Sequence, residues 1–225
     1  MTYQRRIVDD ELDILLPHVG ALAIEGTKGV GKTATATQRA GTVIDLTNKE
    51  QRTVIEADPE LLLAARPPVV VDEWQLVPAV WDRVRKAVDD DPAGSRFLLT
   101  GSAWPAKGQR IHSGAGRIVR LVLRPLSFPE RGLVTPTVSL QAMLDNAGQV
   151  LGGESPLGLS DYTEEILASG FPAIRPLPPR VRRAQLNSYL ARVVDRDLPE
   201  NGVMVRRPAA MMAWLTAYAA ATSTT

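Results

Sequence analysis

Over the first 125 residues, short apolar runs alternate with stretches whose apolar positions recur at helical spacing. Residues 7–16 have that helical spacing, which predicts an amphipathic helix stopped at Pro17. Ala21-Leu-Ala-Ile24 is too short for a helix and reads as a buried strand. It runs through a Gly-rich turn into a helix over about 32–40. Thr42–Leu46 predicts a second strand, and 48–65 a helical stretch interrupted at Asp58-Pro59. Val69-Val70-Val71, entered from Pro67-Pro68, is a third strand. A helix over 78–90, with Pro78 in its first turn, leads to a fourth strand at Arg96–Thr100. Residues 117–123 alternate and read as a fifth. Apolar strands interleaved with helices predict an α/β fold, a parallel sheet covered by helices on both faces.

That pattern stops near residue 125. Beyond it only helical signals remain, at about 138–147, 161–169, 179–197 and 208–221, with a Gly/Pro-rich loop at 152–158. The predicted organisation is therefore an α/β core over 1–130, a helical extension and loop over 131–178, and the start of a helical C-terminal domain over 179–225. The last helix runs into Thr-Ser-Thr-Thr with no C-cap signal and reads as interrupted.

Composition narrows the chemistry. With no cysteine, disulfide scaffolds, Cys-ligated zinc and thiol nucleophiles are excluded, and two histidines, His18 and His112, argue against a His-based metal centre. No apolar run approaches the ~20 residues of a membrane helix, and the N-terminus has no signal-peptide core, which predicts a cytoplasmic protein. Charge is nearly balanced overall, 26 basic against 25 acidic residues. It is unevenly placed, with 11 basic and 16 acidic residues over 1–91 and 15 basic and 9 acidic over 92–225. The basic half raises nucleic acid or an acidic protein as a partner, beside the plainer reading of a solvated surface.

One segment carries chemistry at every fixed position. Gly26-Thr27-Lys28-Gly29-Val30-Gly31-Lys32-Thr33 fits G-x-x-x-x-G-K-[ST], the Walker A phosphate loop, between a predicted strand and a predicted helix. Glycines let the backbone wrap a phosphate with its N–H groups inward. Lys32 would reach the β/γ oxygens and Thr33 would be a magnesium ligand. Val69-Val-Val-Asp72-Glu73 supplies a Walker B-like strand end 39 residues after Thr33. Asp72 would hold Mg2+ and Glu73 would act as general base on water. At the end of the fourth strand, Ser102 is the candidate to sense the γ-phosphate, with Thr100 in reserve.

Together with Leu98-Leu-Thr-Gly-Ser102, Gly116-Arg117 and Leu123-Arg-Pro-Leu-Ser-Phe128, these segments resemble the bacterial and archaeal AAA-type P-loop ATPases known only as ATP-binding proteins. Those proteins carry a C-terminal domain of unknown function. Gly170-Phe-Pro172 and Tyr189–Asp197 resemble the junction into it. The resemblance implies a P-loop NTPase sheet in the order 5-1-4-3-2, with nucleotide at the C-terminal strand ends. It implies that the chain stops just inside the second domain. It also implies an arginine finger at Arg117, with Arg120 and Arg124 as alternates, acting in trans within a homo-oligomer.

Other features stay with plainer readings. Arg5 and Arg6 read as the exposed start of the first helix, with a place near the base or phosphates as the alternative. Trp74, Trp81, Trp104 and Trp214 have no regular spacing and read as packing residues. Arg175–Arg207 holds eight arginines against three acids, without a base-reading motif. The expected function is ATP binding with Mg2+-dependent hydrolysis. The alternative is a nucleotide-gated switch that binds DNA or protein and turns over negligibly.

Overall fold

The computed structural model of the chain describes residues 3–102, 113–145 and 152–222, so Trp104, His112 and the end of the helix expected over 138–147 lie outside the described residues. Five strands form one parallel sheet: β1 Ala21–Glu25, β2 Thr42–Asp45, β3 Val69–Asp72, β4 Phe97–Gly101 and β5 Ile118–Val122. Their order is β2-β3-β4-β1-β5, the order that the resemblance implied. The central strands β1, β3 and β4 are buried along nearly their whole length, whereas the edge strands β2 and β5 are only partly covered.

Side chains alternate across a strand, so each apolar run is shared between two cores. Ala21, Ala23, Val69, Val71, Phe97 and Leu99 face one side. There they pack on α3 (Lys49–Ala57) through Ile55, α4 (Leu61–Ala64) through Leu62, and α5 (Ala79–Asp90) through Val80, Trp81 and Val84. Trp74 lies against Trp81 with ring centroids 4.6 Å apart. Leu22, Ile24, Val70 and Leu98 face the other side. They meet Leu12 of α1 (Ile7–Leu15) and Ala36 of α2 (Lys32–Thr37), with Val30 and Leu123.

Two helices differ from expectation for local reasons. α2 ends at Thr37 rather than 40. The amides of Arg39 and Ala40 turn to the carbonyls three residues back, tightening the chain before Gly41. The stretch expected as one helix over 179–197 is α8 (Pro179–Arg192) followed by a π turn, Val193–Asp197.

Past the sheet come α6 (Leu140–Asp145), α7 (Leu159–Ala168), α8, the short α9 (Leu198–Glu200) and α10 (Pro208–Ala220). Among the described residues beyond 131, Ala168, Gly170 and Val194 are the buried ones. Trp214 is exposed and stacks on Tyr218 of its own helix. No helix among the described residues is long and apolar enough to cross a membrane.

Candidate functional site

The loop leaves β1 at a position only glycine fits. Gly26 has φ +150°, and a Cβ there would lie 2.2 Å from the Leu123 carbonyl oxygen. Gly31, at φ +102°, opens α2 from the left-handed region. Lys32 follows and is buried. Its Nζ folds back to donate to the carbonyls of Gly26 and Thr27, each at 3.0 Å. Burial pushes the Lys32 ammonium below the ordinary lysine range, although Glu73 and Asp72 pull the other way.

Asp72 ends β3, opposite Thr100 of β4. The Thr33 hydroxyl donates between both Asp72 carboxylate oxygens, at 2.8 and 2.9 Å. Thr100, fully buried, donates a short hydrogen bond to Asp72 Oδ1. Thr100 is therefore a partner of Asp72. Glu73 takes a left-handed backbone, φ 54° and ψ 46°, which starts a 3-10 turn over Trp74–Leu76. Its Oε2 accepts from Ser102 Oγ at 3.0 Å and from Gln75 Nε2.

The structure thus gathers Gly26–Thr33, Asp72, Glu73 and Ser102 at the C-terminal ends of adjacent strands. Arg117 is elsewhere. Ile118 pairs with Ala21 and Val122 with Glu25, so Arg117 stands at the opposite end of β1 from the loop, about 16 Å away by strand rise. It donates to Asp89 at 2.7 Å and to the Ala115 carbonyl at 3.1 Å. Arg120 forms a two-point pair with Glu25 at 2.5 Å. Arg124 is exposed and contributes its carbonyl oxygen to Arg6.

Arg6 corrects the reading of the N-terminus as an exposed helix start. Arg5 is exposed, but the Arg6 side chain is only 4% exposed and lies beneath the phosphate loop. It donates to Val30 O at 2.9 Å, Arg124 O at 2.7 Å and Glu130 Oε1 at 3.0 Å. Glu130 also accepts from the amides of Ile7 and Ser127 and from the Ser127 hydroxyl. Burial pushes the Glu130 carboxyl up, but those amides and the Arg6 guanidinium hold it below the usual carboxylate range. Nothing near Arg6 in sequence marks it as buried, because Glu130 is 124 residues away.

A cleft of about 1410 Å³ opens over the loop. One wall is Lys28, Gly31, Lys32 and Thr33, with Tyr3 and Gln4 beside them. The facing wall is Pro172, Ala173, Arg175 and Arg182. Arg131 and Arg175 both donate to Glu165 and fix that wall to the core. The space exceeds the ~300–1,000 Å³ of common small-ligand sites.

A parallel sheet with a glycine-rich loop between β1 and α2, and a paired hydroxyl and carboxylate beside it, defines a P-loop nucleotide-binding domain. The family model described as an AAA domain matches residues 19–131, half of the chain. The chain belongs to that family. No curated protein matches it. Over 95% of its length it also matches the solved structure of C. elegans PCH-2, at 11% identity and a TM-score of 0.31, spanning 65% of that chain. A likeness that distant carries no argument about function.

Proposed function

We propose that the chain binds Mg-ATP and hydrolyses the β–γ phosphoanhydride with water as acceptor. The observation that carries this reading is the hydrogen bond from Thr33 to Asp72 with Glu73 adjoining it. A hydroxyl and a carboxylate within 3 Å of each other are the hard oxygen donors that magnesium takes from protein, phosphates and water completing its shell. Bound there, the ion would neutralise charge on the β and γ oxygens.

The chain's own residues carry the rest. Lys32, now spent on two loop carbonyls, turns its ammonium to the phosphates. Ser102 and Gln75 hold Glu73 until water enters. Glu73 then takes the proton as that water attacks the γ-phosphorus. The bond to the β–γ bridging oxygen breaks, and ADP and phosphate leave. Arg117, at the far end of its own sheet, acts only on a neighbouring copy's site, so a finger role requires a homo-oligomer. In this reading residues 1–130 form the catalytic core, 131–178 the extension beside the cleft, and 179–225 a further helical region.

Phosphate release from Mg-ATP, read beside nucleotide binding, tests this. Lys32→Ala is expected to lose most nucleotide affinity. Glu73→Gln is expected to keep binding and lose about 10²–10⁴ in turnover. Wild-type turnover in Glu73→Gln overturns the role given to that residue. The switch reading has one observation in its favour, that Glu73 is engaged by two side chains. It predicts nucleotide binding without turnover, and DNA or protein binding that changes with nucleotide and survives near-physiological salt.

A further inference from the structure

The segment after α8 reaches back onto the phosphate loop. Asp197 ends the π turn, and its carboxylate accepts from Lys28 Nζ at 2.7 Å, with Glu200 at 3.7 Å from the same ammonium. Tyr189 donates its hydroxyl to the Lys28 carbonyl at 3.1 Å. Its ring packs on Phe171 with centroids 4.9 Å apart, and Phe171 in turn lies against Gly29. Both ends of Lys28, backbone and side chain, are thus held by a segment more than 160 residues away.

The winding of that segment makes the grip. A π turn advances less per residue than an α turn, so residues four apart stay closer to alignment. Val193 and Asp197, the two ends of the turn, line one recess together with Tyr189 of α8 and with Lys28, Glu73 and Ser102. Glu73 and Ser102, which the reading above sets beside the γ-phosphate, line this recess, and Asp197 and Glu200 are anions at its mouth, Glu200 also paired with Arg196 at 2.6 Å. A triphosphate arriving there competes with them for Lys28 and repels them. A diphosphate lacks the group that would do so. The pair is suited to exchange partners, because Lys28 is 48% exposed and Asp197 23%, and water weakens such a bridge.

We propose that Asp197 and Glu200, with Tyr189, form a latch on Lys28 that closes the 189–201 segment over the phosphate loop when no γ-phosphate is present and releases it when a triphosphate binds. The proposal rests on the phosphate-loop reading above. It makes the helical segment the readout of nucleotide state, and it makes the closed form discriminate against triphosphate. Asp197 and Glu200 are positioning residues here, acting through Lys28.

Amide hydrogen exchange over 189–201 in the full chain tests it, with calorimetry of the same samples against ADP and a non-hydrolysable ATP analogue in magnesium. The analogue is expected to speed exchange in that segment several-fold, and ADP to leave it unchanged. Asp197→Asn and Glu200→Gln are expected to exchange fast without ligand. They should also bind the analogue several-fold tighter than wild type, while ADP affinity moves little. A merely structural bridge predicts the opposite, a weakened site and no preference between the two nucleotides. Analogue binding with unchanged or slowed exchange overturns the latch alone. Failure of the wild-type chain to bind either nucleotide overturns the phosphate-loop reading and the latch with it.

Discussion

At the scale of single residues, the site is built from side chains held in costly states. Glu73 sits in the left-handed region, where a side chain costs about 1–2 kcal/mol and glycine nothing. A carboxylate at such a position is better explained by what it does than by stability. Glu73→Gly and Glu73→Ala both remove the carboxylate and its bonds to Ser102 and Gln75, but only the first relieves the backbone. We expect neither to turn over ATP, and thermal unfolding to show Glu73→Gly the more stable by about 1 kcal/mol. Arg6 and Glu130 are a second such case, 4% and 8% exposed. Removing one partner leaves the other charge buried, so Glu130→Gln should cost about 3 kcal/mol in urea unfolding at neutral pH. The Glu130 carboxyl lies below its unfolded value of 4.5. Its contribution is therefore complete above about pH 5 and fades as pH falls through the lower folded value. The stability of Glu130→Gln should accordingly fall less steeply than wild type below pH 4.5.

At the scale of elements, the sheet and its inner helices follow local rules. α3 begins at Asn48, whose side chain accepts from the amides of Glu50 and Gln51 at 2.9 and 3.1 Å. Asn48→Ala removes that cap and should cost about 1 kcal/mol, read as a fall of about 2–4 °C in Tm. All five strands were legible in the chain, four as short, mostly apolar runs between turn residues and β5 by its alternation, and the eight residues of the loop because their spacing is fixed by phosphate geometry. Asp72 and Glu73 were legible from the strand that ends in them. What the pattern could not carry is contact at a distance. Arg6 looked like a surface charge because its partners are Val30, Arg124 and Glu130. Thr100 reads in the chain as the reserve γ-phosphate sensor, and only the register sets it opposite Asp72. The π turn leaves no mark either, since one extra residue per turn changes which face a side chain takes without changing the helical composition. Asp197, which holds Lys28, ends that turn.

At the scale of the whole molecule, burial is concentrated in the sheet. Its two faces hold nearly all the buried apolar side chains, while α8 and α10 bury none. Local opening free energy follows buried contact, so the molecule should open in tiers rather than all at once. The amides of β1, β3 and β4 should exchange only near the global unfolding free energy. Those of α10 should exchange far faster, and those of α7 and α8 between the two, because Glu165 and Tyr189 tie these helices to the core. Native-state hydrogen exchange read element by element checks this order. Protection of α10 equal to that of β1 would show that the C-terminal helices fold as one cooperative unit with the sheet. The order also bears on signalling. A nucleotide bound at β1 and β3 acts on the most rigid part of the chain, and the elements that contact the loop from outside are the ones with little to lose by moving. Under the proposed latch, a triphosphate at the loop displaces 189–201 rather than the sheet, because local opening costs least where least is buried.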